Sequence, residues 1–362
     1  MKIPEFFQDW YDSINIPVHE SNNSSHEHVK IQQGVEKALI QAREENIPVV
    51  SISADLASST GVKAFQQKYP SDTFDAGVSE SNMVSMASGF SKLGYISIID
   101  TFAQFGISKG FLPIVMANLS QAPIIAIFSH TGFQDAADGA SHQATQYLSA
   151  FSNMPSTIVV NLSCAQSAHE YIYQGIKYQY EKKKQNLVPE SIIFFLGREN
   201  FPKNYGQIHY QFFKNNLLYK PENIKEISYL LITTGSMVLN GLKIRETLWN
   251  TYQKNGVVIE IPFIHTSQDN KDYALVQEYF NSMENPVLVI LEDHQIYGGL
   301  GARLTQDIHR FNLGLKSNNK NPKFLYLGID GKFGKSAYCA NDLYKEYGFG
   351  IEESVKKIVE IL

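Results

Sequence analysis

The chain has 362 residues, 43% of them hydrophobic and 19% charged, with a formal charge of -5 at neutral pH. This length and balance describe a globular protein of two ordinary domains, and the mixed charge leaves no basic surface for nucleic acid. Two cysteines, Cys164 and Cys339, are too few for a disulfide framework and fit a reduced, cytoplasmic setting; the acidic residues in MKIPEFFQDWYDS argue against a signal peptide, and no stretch approaches the ~20 apolar residues of a membrane span.

Residues 1–28 end in the polar run HESNNSSHEH and read as an arm. Helical spacing then runs from Val29 to Ala42, followed by the β-branched block IPVVSIS at 47–53. The alternation repeats with a helix from Ser81 to Leu93, YISIID at 95–100, a helix from Ile107 to Asn118 and PIIAIFS at 123–129. STIVVNL at 156–162 and SIIFFL at 191–196 enclose a helix from Ala165 to Glu181. Continuously apolar strands separated by helices predict a parallel sheet covered on both faces, here over residues 29–204. Residues 205–226 are charged and turn-rich, and read as a linker. Residues 227–362 repeat the pattern with ISYLLITTG, GVVIEIPFI, PVLVILED and KFLYLGI, closed by a helix from Glu352 to Leu362. The expected architecture is two consecutive three-layer α/β domains with mostly parallel sheets.

Three segments of the first domain carry chemistry. Glu80 in VSESNMVS stands at the start of a helix, where it either complements the helix dipole or hydrogen-bonds a ligand nitrogen. Phe102 and Phe105 in DTFAQFG are spaced to share one side of a helical turn, as a flat apolar slot or as a packed core pair. In SHTGFQDAADGASHQ, His130, Asp138 and His142 follow an apolar strand in a Gly- and Ala-rich loop, the usual place for ligands in a parallel α/β sheet. Arg198 in FFLGREN follows another strand and offers a planar guanidinium for phosphate. Later in the chain, GGLG at 298–301 lacks the lysine of a phosphate loop and reads as a tight turn. Glu292, Asp293 and His294 are adjacent on a strand and point in different directions, so no metal is assigned to them.

Taken with their order along the chain, VSESNMVS, DTFAQFG and SHTGFQDAADGASHQ resemble the pyrimidine-binding domain of transketolases. LLITTGSMVLNGLKI, LEDHQIYGGLGARL and LGIDGKFGKSA are similar to the carboxy-terminal domain shared by transketolases, deoxyxylulose-phosphate synthases and 2-oxo acid dehydrogenase beta subunits. The resemblance covers residues 29–362. It implies thiamine diphosphate as cofactor, with Glu80 on the aminopyrimidine and Phe102 and Phe105 stacked on that ring. His130, Asp138 and His142 would contact the sugar, with the two histidines also moving protons, and Ser59, Arg198 and Lys30 would hold a sugar phosphate. A third aromatic of the family is Ser108 here, and the usual arginine is Lys30, which lacks the bidentate fork.

The cofactor's diphosphate requires Mg2+ or Ca2+, held in this family by a GDG segment and a later asparagine, and no GDG occurs in the sequence. The implied protein is therefore one subunit of a split transketolase, paired with a separate amino-terminal subunit that carries the metal site and self-associated through this chain, two of each. The alternatives are a 2-oxo acid decarboxylase beta subunit or deoxyxylulose-phosphate synthase-like enzyme, and an idle transketolase-like binding protein.

Overall fold

The computed structural model describes residues 27–264, 273–311 and 322–362. Most of the expected arm lies outside them. The first sheet has six parallel strands in the order β3-β2-β4-β5-β7-β6. A short strand β1 (His28–Lys30) precedes it, and its members are β2 (Val49–Ser53), β3 (Thr73–Asp75), β4 (Ile96–Phe102), β5 (Ile125–Ser129), β6 (Thr157–Leu162) and β7 (Ser191–Leu196). The strands from β4 to β7 are almost wholly buried, as expected of a parallel sheet with helices on both faces.

After β8 (Asn200–Pro202), the second sheet is built from β9 (Asn216–Tyr219), β10 (Ile227–Thr233), β11 (Asn255–Glu260), β12 (Val287–Gln295) and β13 (Lys323–Ile329). Its order is β13-β12-β10-β11-β9, parallel except for β9 at the edge. The architecture is thus the α/β fold with mostly parallel sheets that the apolar runs imply.

The sheets are joined by more than a covalent link. One buried apolar cluster contains Val50, Ile99 and Phe128 from the first unit and Ile232, Val257 and Ile290 from the second. The free edge of β6 is also used, because Asn161 N–H donates to Pro262 O and Ile264 N–H to Val159 O, each at 2.8 Å. An exposed strand edge is thereby capped by the other domain.

Three local expectations change. Val29 lies in β1, which pairs antiparallel with β8, so the first helix starts only at Gln32. Gly110 divides the stretch expected as one helix into Ala103–Lys109 and Phe111–Leu119. The segment read as a linker supplies β9, and its Tyr210 is buried against Tyr171. Leu217 packs on that shared apolar cluster and Leu218 on a second one, around Tyr229, Leu231 and Val258, which is why this polar-looking stretch is held as structure.

Asp100 is buried inside β4, accepts hydrogen bonds from Ser53 Oγ at 2.9 Å and Thr60 Oγ1 at 2.6 Å, and leaves Oδ1 without a partner. Burial pushes its pKa up to about 7, against those two hydrogen bonds. The fold then keeps a proton that the unfolded chain releases near its ordinary value of 3.8, so stability falls as pH rises between the two. Asp100→Asn is expected to remove on the order of 2 kcal/mol of the stability lost between about pH 5 and about pH 8 in urea unfolding. An unchanged pH dependence would contradict the assignment.

Candidate active site

The site forms where central strands of the first sheet end. Phe102 is the last residue of β4, and the chain turns directly into helix Ala103–Lys109. The Phe102 and Phe105 rings therefore face each other across a strand-to-helix junction, not along one helix, with centroids 6.3 Å apart and planes within 22°. His130 follows β5 immediately, and its ring lies 4.1 Å from that of Phe102. His142 meets Phe105 edge-on at 5.2 Å. Four residues from two separate stretches thus form one row of rings, His130, Phe102, Phe105 and His142.

His130 has a φ of +65°, a left-handed conformation that few non-glycine residues adopt. Its Nδ1 lies 2.9 Å from Ser129 Oγ. Burial, followed by the positive charge of Arg198, lowers its pKa to about 3, so the imidazole is neutral at physiological pH. His142 is half-buried, with Ser141 Oγ 3.0 Å from its Nδ1.

Glu80 is the first residue of helix Glu80–Lys92 and is 8% exposed. No described residue hydrogen-bonds its carboxylate. It lines a cleft of about 420 Å³ together with Val78, Ser79, Ser81, Phe105 and Lys109. Ser108, at the third aromatic position, donates its hydroxyl to Gln104 O at 2.7 Å within its own helix.

Gln32 brings the remaining candidates together. Its Nε2 donates to Ser59 O and Gly197 O, both at 3.2 Å, tying the Ser59 turn to the loop of Arg198. Lys30 lies beside that loop, because it pairs with Asn200 in the β1-β8 ribbon. The Arg198 guanidinium, however, is not an open fork. Its Nη1 donates to Asp135 Oδ1 at 2.7 Å, and Asp138 Oδ2 lies 3.7 Å away. Burial and then the neighbouring Asp138 push the Asp135 carboxyl up to about 7, against the attraction of Arg198.

The second domain grips the same loop. Asp293 of β12 accepts the Phe133 N–H at 2.9 Å and the Tyr344 hydroxyl at 2.7 Å. Tyr344 accepts from Gln134 Nε2 at 2.9 Å, and Gln134 Oε1 in turn accepts the backbone N–H groups of Arg198 and Glu199 at 3.3 and 3.0 Å. Gly132 is required here, since its φ is +56° and a Cβ would lie 2.2 Å from the Asp293 carboxyl carbon. Glu292 accepts the N–H groups of Leu300 and Gly301 at 2.7 and 3.0 Å, so GGLG is a turn closed around a carboxylate. His294 Nδ1 lies 2.6 Å from Gln295 O. Among the described residues no cluster of three or more histidine, cysteine or acidic side chains could hold a metal ion.

Gln32 and Asp135 escaped the sequence reading, and Asp293 entered it only as a rejected metal ligand. Asp135 carried a signal, an acid within the histidine-rich stretch. Gln32 and Asp293 act through contacts of long sequence separation that no local pattern reports.

A parallel sheet with this row of rings at its carboxyl ends is a pyrimidine-binding fold, and residues 27–196 match the transketolase pyrimidine-binding domain. Over most of its length the chain is similar to carboxy-terminal sections of transketolase-family proteins. It is 27% identical over 338 residues to a transketolase C-terminal section of Methanocaldococcus jannaschii, covering 91% of this chain and 95% of that one. It is 25% identical to the 1-deoxy-D-xylulose-5-phosphate synthase of Clostridium tetani, covering 90% of this chain and 48% of the relative, so it spans about half of that enzyme. A split-gene transketolase described as an inactive beta4 tetramer shares the fold with a TM-score of 0.71 at 20% identity, over 92% of this chain and 98% of that one. The transketolase of Campylobacter jejuni does so at 0.67 and 17% identity, over 98% of this chain and 50% of its own.

Asp293→Ala leaves the Phe133 N–H and the Tyr344 O–H buried without an acceptor, and is expected to cost about 3 kcal/mol in urea unfolding. A loss below about 0.5 kcal/mol would show that the second domain does not hold this loop.

Proposed function

We propose that this chain is the carboxy-terminal subunit of a two-subunit transketolase, acting in the cytoplasm and transferring a two-carbon ketol unit from a ketose to an aldose. The observation that carries the reading is the Glu80 carboxylate, buried, unpaired and open to a cleft it shares with Phe105. A carboxylate left without a protein partner is matched by a ligand that brings its own donor, and Phe102 and Phe105 beside it offer apolar faces to a flat ring. The pyrimidine end of thiamine diphosphate has both properties, so Glu80, Phe102 and Phe105 fit it.

When bound, thiamine diphosphate supplies the electron sink for breaking a carbon–carbon bond beside a carbonyl. Glu80 would hold or accept a proton toward the pyrimidine end of that group. His130, kept neutral by burial, donates or accepts a hydrogen bond through the nitrogen not engaged by Ser129. His142 carries a proton to or from the substrate oxygens, and Asp138 accepts a sugar hydroxyl. Phe105 gives the cleft an apolar wall beside Glu80.

The metal and the diphosphate belong, in this reading, to a separate amino-terminal subunit bearing a GDG segment with Mg2+ or Ca2+. Support comes from the surface around the cleft. Val78 on its rim is 81% exposed, and Leu112 and Leu119 on helix Phe111–Leu119 are 67% and 73% exposed, an apolar face suited to another chain. The description of a similar split-gene chain as an inactive beta4 tetramer accords with self-association and with inactivity of this subunit alone. A second reading, deoxyxylulose-phosphate synthase-like transfer from a 2-oxo acid, draws on the relatives of that name.

The test is to purify the chain alone and with a GDG-bearing chain, and to follow cleavage of xylulose, free or as its 5-phosphate, with thiamine diphosphate and magnesium. Activity is expected only from the pair, and Glu80→Gln in the pair is expected to lower kcat by about a hundredfold or more. Full activity from the isolated chain, near-normal turnover with Glu80→Gln, or consumption of pyruvate without ketose cleavage would overturn the assignment.

A further inference from the structure

Arg198 stands where a sugar phosphate is expected, yet it already holds an anion. Asp135, fully buried, receives a 2.7 Å hydrogen bond from Arg198 Nη1, while the arginine itself is 42% exposed. Asp135 has no freedom to swing away. It closes the turn Gly132–Asp135, whose Phe133 N–H is fixed by Asp293, and its own carbonyl accepts from Gly139 N–H at 3.3 Å and Gln143 Nε2 at 3.4 Å. Its second oxygen, Oδ2, is buried with no partner. Asp138 adds a carboxylate 3.7 Å from the same guanidinium.

Arg198 is therefore engaged from within the protein. The guanidinium faces the buried Asp135, whose carboxyl, raised to about 7, is partly ionised at neutral pH, and the more exposed Asp138. A phosphate dianion placed on Arg198 competes with Asp135 for the Nη1 donor and meets Asp138 and the ionised fraction of Asp135 at close range, the latter in a buried setting where repulsion is weakly screened. The guanidinium keeps further N–H groups free of Asp135, and these suit uncharged hydroxyl oxygens.

We infer that Asp135 is a specificity-determining residue: it supplies Arg198 from within the protein with the anion that a substrate would otherwise bring, and the site favours sugars with an uncharged far end over sugar phosphates. The inference rests on the sugar-transfer reading for its substrate class, but the charge balance at Arg198 is testable without turnover.

Two measurements decide it. In the reconstituted pair, kcat/KM is compared for xylulose and xylulose 5-phosphate with the native chain and with Asp135→Asn, a substitution of the same shape. The native pair is expected to use the free sugar at least as well as the ester, and Asp135→Asn to move the ratio toward the ester by about tenfold or more, through KM. Separately, inorganic phosphate is titrated into the isolated chain and thermal unfolding followed, with little stabilisation expected for the native protein and a clear rise for the variant. A native pair that prefers the ester by about tenfold, or a native chain stabilised by phosphate as much as the variant, would overturn the inference, and both readings of the native protein stand if the variant fails to fold. Absence of ketose cleavage with either sugar would sink the transfer reading alone, because the phosphate titration still reports on Asp135.

Discussion

The arrangement of the site depends on one buried acceptor, the Asp293 carboxylate. It belongs to the second domain and takes the Phe133 N–H of the first, so the turn that follows β5 is shaped by a residue 160 positions away. His130 precedes that turn with its left-handed backbone, Gly132 passes the carboxylate where no side chain would fit, and Gln134 extends the network to the backbone of Arg198. Releasing Asp293 would free His130, Asp135 and Arg198 together. Buried hydrogen-bonded carboxylates are costly unless every partner is met, and this one is met from two elements. The second domain is thereby part of the site's construction although it contributes no residue to the ring row.

The same contacts fix which side of the site this chain supplies. The parallel sheet supplies strand ends, the strand ends supply Phe102, His130 and Arg198, and the helix beginning at Glu80 closes one side. Among the described residues the cleft beside Glu80 is open to solvent. An apolar rim and an unpaired carboxylate fit the proposal that the site is completed by another chain.

Much of the fold was legible because burial on both faces writes itself into sequence as unbroken apolar runs. IPVVSIS, PIIAIFS and SIIFFL became β2, β5 and β7 with small changes at their ends. The histidines and phenylalanines were legible as a group because they lie in two short stretches, and the structure brings them into contact. What could not be read was their geometry. The spacing of Phe102 and Phe105 looks helical, but the first belongs to a strand. β9 was hidden because an edge strand of four residues has few apolar positions to reveal it. The pairing of Asp135 with Arg198 joins residues 63 apart, and nothing in either local pattern marks the other.

The central claim, that this chain holds one half of a cofactor site, is tested most directly by equilibrium binding. Thiamine diphosphate with Mg2+ is titrated by calorimetry into the chain alone and into its mixture with a GDG-bearing partner. The account predicts weak or undetectable binding to the chain alone and tight binding to the mixture, with one cofactor for each copy of this chain. Tight, stoichiometric binding by the isolated chain would contradict it.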